Sequence, residues 1–150
     1  MDSSFEDVKR FVLAAVKLGS RWGRFCCRAR MHAALFLLAR EFEELAHLRN
    51  PLGMLNVDVD VAVRVLVEMG FLEERLEVPG VIDGVRLPRR AVYTYRLTRA
   101  GRVLADDAVK ELSPQVRKRM KEFLKMSLWS LIGYAYVKHP EHAKPAVELA

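Results

Sequence analysis

Residue types that mark particular protein classes are scarce in this chain of 150 residues. The only two cysteines are the adjacent Cys26 and Cys27, which cannot form a disulfide framework or supply four zinc ligands. Two asparagines and one glutamine are the only amide side chains, as in proteins from heat-adapted organisms. We therefore expect a reducing compartment and a thermophilic source, with both thiols buried as small apolar side chains.

Long apolar runs are also absent, since no segment reaches the roughly 20 apolar residues that a membrane helix needs. The first ten residues, MDSSFEDVKR, are polar and acidic, whereas a signal peptide begins with basic residues and continues with apolar ones. We expect a cytoplasmic protein with no membrane partner. At 51% hydrophobic residues, the chain can bury a sizeable core as a single domain over 1–150.

Residues that could form a catalytic or metal site are missing as well. The sequence has no phosphate-binding glycine loop and no nucleophile elbow. His139 and His142 lie close along the chain, but two ligands do not make a metal site, and His32 and His47 are isolated. We expect no enzymatic activity, no cofactor and no bound metal.

Positive charge is what the chain has in excess, with a net charge of +6. Basic residues predominate over 8–40, 86–102 and 117–125, and acidic residues predominate over 41–77. A surplus of this size attracts phosphate groups over long distances. We therefore expect an anionic partner, with duplex DNA favoured over single-stranded DNA or RNA.

Apolar spacing predicts a mainly helical α+β domain with one antiparallel β-hairpin. Helices are predicted over 3–16, 31–45, 57–69, 98–112, 113–125 and 127–138, the second as a core helix rather than a coiled-coil seam. Gly70 is predicted to end the third helix, and Thr98, Ser113 and Ser127 to cap the last three. Residues 71–78 and 91–98 alternate as strands, with Tyr93 and Tyr95 facing the helices.

The hairpin and its flanks are rich in arginine. The stretch 86–102 contains six arginines and no acidic residue. On a projecting hairpin, such arginines can reach DNA phosphates or enter a narrow minor groove. The candidates for DNA contact in and beside the hairpin are Arg64, Arg86, Arg89, Arg90, Arg96 and Arg99. The alternative is a solvated hairpin whose arginines pair with Glu73, Glu74 and Glu77.

A second basic segment, RWGRFCCRAR over 21–30, alternates arginines with aromatic residues. Arg21 and Arg24 beside Trp22 and Phe25 can form a platform on which single-stranded bases stack while the arginines neutralise phosphates. The alternative is a helix that buries Trp22, Phe25 and Cys26 and leaves the arginines in water.

The residues LVEMGFLEER followed by YTYRLTRAGR resemble winged-helix transcriptional regulators of the MarR and PadR type, in which such segments bracket the wing. The later SLWSLIGYAYVKHPE is similar to the tail of YwgA-like predicted regulators of bacteria and archaea. The resemblance covers about 31–141. It implies a winged helix-turn-helix core with helical extensions over 1–28 and 113–150, a helix over 57–69 in the major groove, and wing arginines on phosphates. Together with the scarcity of amides, it points to a thermophilic archaeon.

Three hypotheses of function follow from these patterns. The first is a dimeric winged-helix regulator of transcription that contacts duplex DNA through its basic wing. The second is a single-stranded DNA or RNA binder. The third is a protein-interaction module, such as an antitoxin or assembly factor, because the helix over 57–69 offers Asp58, Asp60 and Glu68 against Arg64. Apolar helices over 5–16 and 128–137 predict a homodimer.

Overall fold

The computed structural model describes residues 3–51, 53–77, 81–82, 85–86 and 92–141. Its helices are α1 Ser3–Gly19, α2 Arg28–Glu41, α3 Val57–Glu68, α4 Arg99–Glu111, α5 Pro114–Lys125 and α6 Leu128–Lys138, with a short 3₁₀ helix at Glu43–Leu48. Its strands are β1 Phe25–Cys26, β2 Leu72–Glu77, β3 Val81–Ile82, β4 Val85–Arg86 and β5 Val92–Leu97. The predicted α+β class, mainly helical with a small antiparallel sheet, is confirmed. Within the described ranges, no helix combines the length and apolar character that crossing a membrane requires.

Three strands form the main sheet in the order β1-β5-β2, so β5 is the central strand. The predicted antiparallel hairpin is β2 with β5, in a register that runs from Leu72 opposite Leu97 to Glu77 opposite Val92. The segment between them contains a second small pair, β3 with β4. Strand β1 pairs with β5 through Phe25 opposite Tyr95. The sequence did not predict β1, because two residues are too few to display an alternation.

Helix α1 lies in the core and is not an appended extension. Its apolar residues are buried from Val8 to Val16, and it packs against α3, α4 and α5. Helix α2 is buried on almost every side, as expected for a helix that is apolar all round. Helices α5 and α6 both pack on α2. The N-terminal extension was expected over 1–28, and its described part supplies a core helix and a sheet strand.

Helix α2 ends earlier than the predicted helix over 31–45. Phe42 is extended, and the 3₁₀ helix that follows turns Leu45 and Leu48 back into the core. Arg49 stabilises the new end, because its Nε donates to the carbonyl of Ala39 at 2.6 Å. Leu45 is therefore buried, as its spacing predicts, but it lies in the 3₁₀ helix and not in α2.

Gly70 ends α3 as predicted, with φ of 81°. The N–H of Phe71 donates to the carbonyl of Leu66 at 2.9 Å, and the N–H of Gly70 donates to that of Val67 at 3.1 Å. This pair of bonds is a Schellman motif, which requires a residue in the left-handed region after the helix. The motif turns the chain directly from α3 into β2.

Helix α4 starts against that same turn. Thr98 caps α4 by accepting from the N–H of Gly101 at 3.0 Å, and its hydroxyl donates to the carbonyl of Gly70 at 2.7 Å. A Cβ on Gly101 would lie 1.9 Å from the backbone oxygen of Phe71. This close approach explains why the residue at position 101, the last of LTRAG, must be glycine.

We expect Gly101→Ala to lower the free energy of unfolding by roughly 1 to 3 kcal/mol, because the methyl group must displace backbone and not a side chain. Val103→Ala on the same helix is the control, since Val103 is exposed. This control should be neutral or stabilising by up to about 1 kcal/mol through helix propensity. Urea denaturation measures the free energy of unfolding of both variants. Equal changes in the two would show that position 101 does not lie against the backbone of Phe71.

Candidate nucleic-acid interface

The first turn of α3 is fixed by Asn56 and a buried histidine. Asn56 caps the helix, since its Oδ1 accepts from the N–H of Asp58 at 2.9 Å. Its own N–H donates to Nδ1 of His32 at 3.1 Å. His32 is 2% exposed, and because Nδ1 accepts, the proton of the neutral ring lies on Nε2. That Nε2 donates to Oδ1 of Asp60 at 2.8 Å.

Asp60 joins α3 to α2 through a second partner as well. Arg28, at the start of α2, donates from Nε to Oδ1 at 3.0 Å and from Nη2 to Oδ2 at 2.7 Å. Partial burial raises the pKa of Asp60, but the hydrogen bonds from His32 and Arg28 outweigh it and place the pKa below its ordinary value. Asp60, a residue expected on the groove-facing side, is therefore a structural link.

Arg64, the basic residue of α3, is tied to the hairpin. Its Nη2 lies 3.0 Å and 3.2 Å from the two carboxylate oxygens of Glu74 in β2. The same carboxylate contacts the hydroxyl of Tyr95, whose pKa is raised first by burial and then by Glu74. Helix α3 is thus held on one side by α2 and on the other by the hairpin.

The face that α3 and the hairpin leave exposed mixes apolar and charged side chains. Its large apolar residues are Val57 and Val61 on α3 and Leu76 and Tyr93 on the hairpin, all of them exposed. Arg64 and Glu68 of α3 are exposed as well. A groove of about 270 Å³ lies between the helix and the strands. Tyr95 is buried against the helices as predicted, and Tyr93 lines the same groove beside α3 but is 46% exposed. Tyr93 and its cross-strand partner Leu76 lie toward the hairpin loop, where the described residues leave this face uncovered.

The hairpin arginines fall in different places. Arg86 is the last residue of β4, while Arg89 and Arg90 lie outside the described residues. Arg96 is exposed on β5 and donates from Nε to Glu73 at 3.0 Å. The alternative of arginine–glutamate pairing is confirmed for Arg96 with Glu73. Glu74 and Glu77 also have arginine partners, but these are Arg64 and Arg24, from outside the hairpin.

The second basic segment forms a tight turn before β1. Arg21 and Arg24 exchange backbone hydrogen bonds of 2.7 Å and 3.0 Å. Trp22 and Gly23 between them have φ of 55° and 79°, as in a type I′ turn. Trp22 is 76% exposed at the tip of this turn. Arg21 holds the turn against α5, because its Nη2 donates to the carbonyl of Lys125 at 2.8 Å.

Phe25 cannot take part in base stacking, because it is 0% exposed. Its ring is packed so closely on Gly19 that a Cβ there would lie 2.7 Å from Cε2. The helical alternative is wrong too, since Phe25 and Cys26 form a strand and Trp22 is exposed. Arg24 is half-buried and donates to Glu77 at 2.6 Å. Of the predicted stacking platform, only Trp22 and Arg21 reach the surface fully.

A cluster of cations lies at the end of β5 that is opposite the hairpin loop. Lys17 of α1, Arg96 of β5, and Arg99 and Arg102 of α4 line a cleft of about 530 Å³, together with Glu73. Arg99 was predicted among the hairpin contacts, but it lies in this cleft. Sequence reasoning missed Lys17 and Arg102. The spacing of Arg99 and Arg102 could have placed both on one helix face, whereas nothing local brings Lys17 to them.

The two cysteines are free thiols, with Cys27 buried and Cys26 half-buried. A hydrogen bond from the Cys26 side chain lowers the pKa of Cys27, burial opposes this, and Arg30 adds to the lowering. In the part of the chain that the structure describes, no three His, Cys, Asp or Glu residues are grouped to hold a metal ion.

Comparison with known proteins found no matching family model, no similar curated protein and no similar solved structure.

We expect Asp60→Ala to lower the free energy of unfolding by roughly 1 to 3 kcal/mol, because it leaves the buried Nε2–H of His32 without an acceptor. Asp58→Ala is the control: Asp58 lies on the same helical turn and its side chain is exposed, so its loss should change stability by less than about 0.5 kcal/mol. Urea denaturation at neutral pH measures both variants.

The contribution of Asp60 to the free energy of unfolding should also depend on pH, and it should decrease in acid. A carboxylate whose pKa is lowered by folding stabilises the protein above its unfolded pKa of about 4, and this contribution is lost as the pH falls further. The stability difference between wild type and Asp60→Ala should therefore be constant from pH 7 to about 5 and narrow below about 4. If the stability difference between wild type and Asp60→Ala grew as the pH fell, the proposed hydrogen bonds of Asp60 with His32 and Arg28 would be contradicted.

Proposed function

We propose that the chain is a winged-helix protein that binds duplex DNA by holding its backbone phosphates with the arginines of the hairpin. The order of the elements supports this: a helix, a short strand, two helices and a hairpin, with the strands arranged β1-β5-β2. In this order α3 precedes the hairpin directly, as the recognition helix precedes the wing. Regulation of transcription is the role that the resemblance to MarR and PadR proteins implies.

Phosphates are a better target than base edges for this surface. A base-reading helix presents free donors to the groove. Here Asp60 and Arg64 are engaged with α2 and β2, and the exposed valines of α3 offer no hydrogen bond. Asp58 and Glu68 are exposed acids that repel phosphate. We therefore assign the attraction to Arg86, Arg89 and Arg90 of the hairpin, since Arg96 is already paired with Glu73.

The test is a salt series on duplex binding for wild type and for the double variant Arg89→Ala with Arg90→Ala. Log affinity should fall linearly with log salt, with a slope of about 0.9 for each phosphate neutralised. The double variant should flatten the slope by up to about 2 and weaken all sequences alike.

Lys118→Ala with Lys121→Ala is the matched control, because it removes the same charge from exposed positions on α5. If the lysine variant flattens the slope of log affinity against log salt as much as the hairpin variant does, the protein attracts DNA through its net charge alone. If single strands bind more tightly than duplex and Trp22→Ala costs about 1 to 3 kcal/mol, the stacking hypothesis replaces this one.

A protein-interaction module is the second candidate, and one observation favours it. Val57, Val61, Leu76 and Tyr93 are large apolar side chains exposed on α3 and the hairpin, near the ion pairs of Asp60 and Arg64, and exposed apolar side chains suit a protein partner better than phosphate. Absence of any nucleic-acid binding at low salt would support this candidate.

We also propose that the protein is a homodimer formed through α6. Trp129, Gly133, Tyr136 and Val137 are exposed on one side of that helix. Helix α1, the other helix expected to dimerise, buries its apolar side inside the domain and is not available. Light scattering at micromolar concentration should give twice the mass of 17.2 kDa, and Trp129→Ala with Val137→Ala should shift it toward the monomer. A monomeric wild type would contradict the dimer.

A further inference from the structure

The cleft that Lys17, Arg96, Arg99 and Arg102 line is separate from the face formed by α3 and the hairpin. It lies where the end of α1, the end of β5 and the start of α4 meet, and Gly23 of the β1 turn forms part of its rim. Four cations and one carboxylate line it, so it carries a surplus of positive charge. A concave surface with one sign of charge concentrates the field and attracts ions of the opposite sign.

Two of these cations, Lys17 and Arg96, are neutralised by carboxylates of the protein. Lys17 lies 3.3 Å from Asp106, and Arg96 is paired with Glu73. In the described part of the chain, neither Arg99 nor Arg102 has a carboxylate partner within ion-pair distance. Arg99 and Arg102 are three residues apart on α4, so their side chains leave the helix on the same face.

We propose that this cleft binds the phosphate groups of a polyanion, with Arg99 and Arg102 as the principal contacts. Guanidinium groups offer paired donors that match two oxygens of a phosphate, and they stay charged at any physiological pH. The volume of about 530 Å³ exceeds what a single phosphate fills and lies in the range of small-ligand sites. The phosphates come from a nucleic-acid backbone or from a free phosphorylated molecule, and both sources require the same two arginines.

Calorimetric titration with inorganic tripolyphosphate and with a duplex tests the proposal in two arms. The variant is Arg99→Ala with Arg102→Ala, and its unfolding midpoint is measured first. Both residues are exposed, so the fold should be retained. Binding in at least one arm should weaken about tenfold or more, because charge-assisted hydrogen bonds are lost. Loss of tripolyphosphate binding identifies a free anion as the source, and loss of duplex binding alone identifies the backbone.

A control variant separates the cleft from net charge. Lys118→Ala with Lys121→Ala removes two charges outside the cleft and should leave tripolyphosphate binding within about twofold. Equal weakening by the lysine pair and the Arg99 and Arg102 pair would overturn the proposal, as would a wild type that binds neither probe. The hairpin proposal fails independently, if the Arg89 and Arg90 pair leaves duplex binding unchanged.

Discussion

The imidazole of His32 lies between two helices, and both of its nitrogens are used. Nδ1 accepts the N–H of Asn56 at the start of α3, and Nε2 donates to Asp60 one turn later. Because Arg28 holds the other side of the same carboxylate, α3 cannot rotate on α2 without leaving a buried polar group unpaired. The hairpin follows α3 through the Gly70 turn, so its position depends on the same network.

The same hydrogen bonds also determine which polar side chains of the surface remain free to bind a ligand. Asp60 and Arg64 would be the polar residues of a groove-reading helix, but they serve as links to α2 and β2 and leave the acids Asp58 and Glu68 exposed beside Val57 and Val61. Within the described residues, arginines without a carboxylate partner are found instead where β5 meets α4, because Arg99 and Arg102 line the cleft there. Paired guanidinium groups of this kind match the oxygens of a phosphate.

Local signals predicted much of this fold. The left-handed position of Gly70 and the caps at Thr98, Ser113 and Ser127 lie where the sequence indicates, because turns and helix starts are set by nearby residues. Strand β1 was missed because its pairing with β5 is long-range. The link from His32 to Asp60 joins residues 28 apart, and nothing in the surrounding sequence marks the histidine as a partner. The cleft could not be predicted from local sequence, because its cations come from α1, β5 and α4.

Selection from a pool of random-sequence duplexes tests most directly whether the protein holds phosphates without reading bases. Because α3 offers no free donors, bound DNA should show no enriched motif, and affinities at fixed salt should differ little between sequences. Base-reading proteins prefer their sites by about 10³-fold or more. Recovery of one short motif, bound with such a preference over shuffled duplexes at the same salt, would contradict this account.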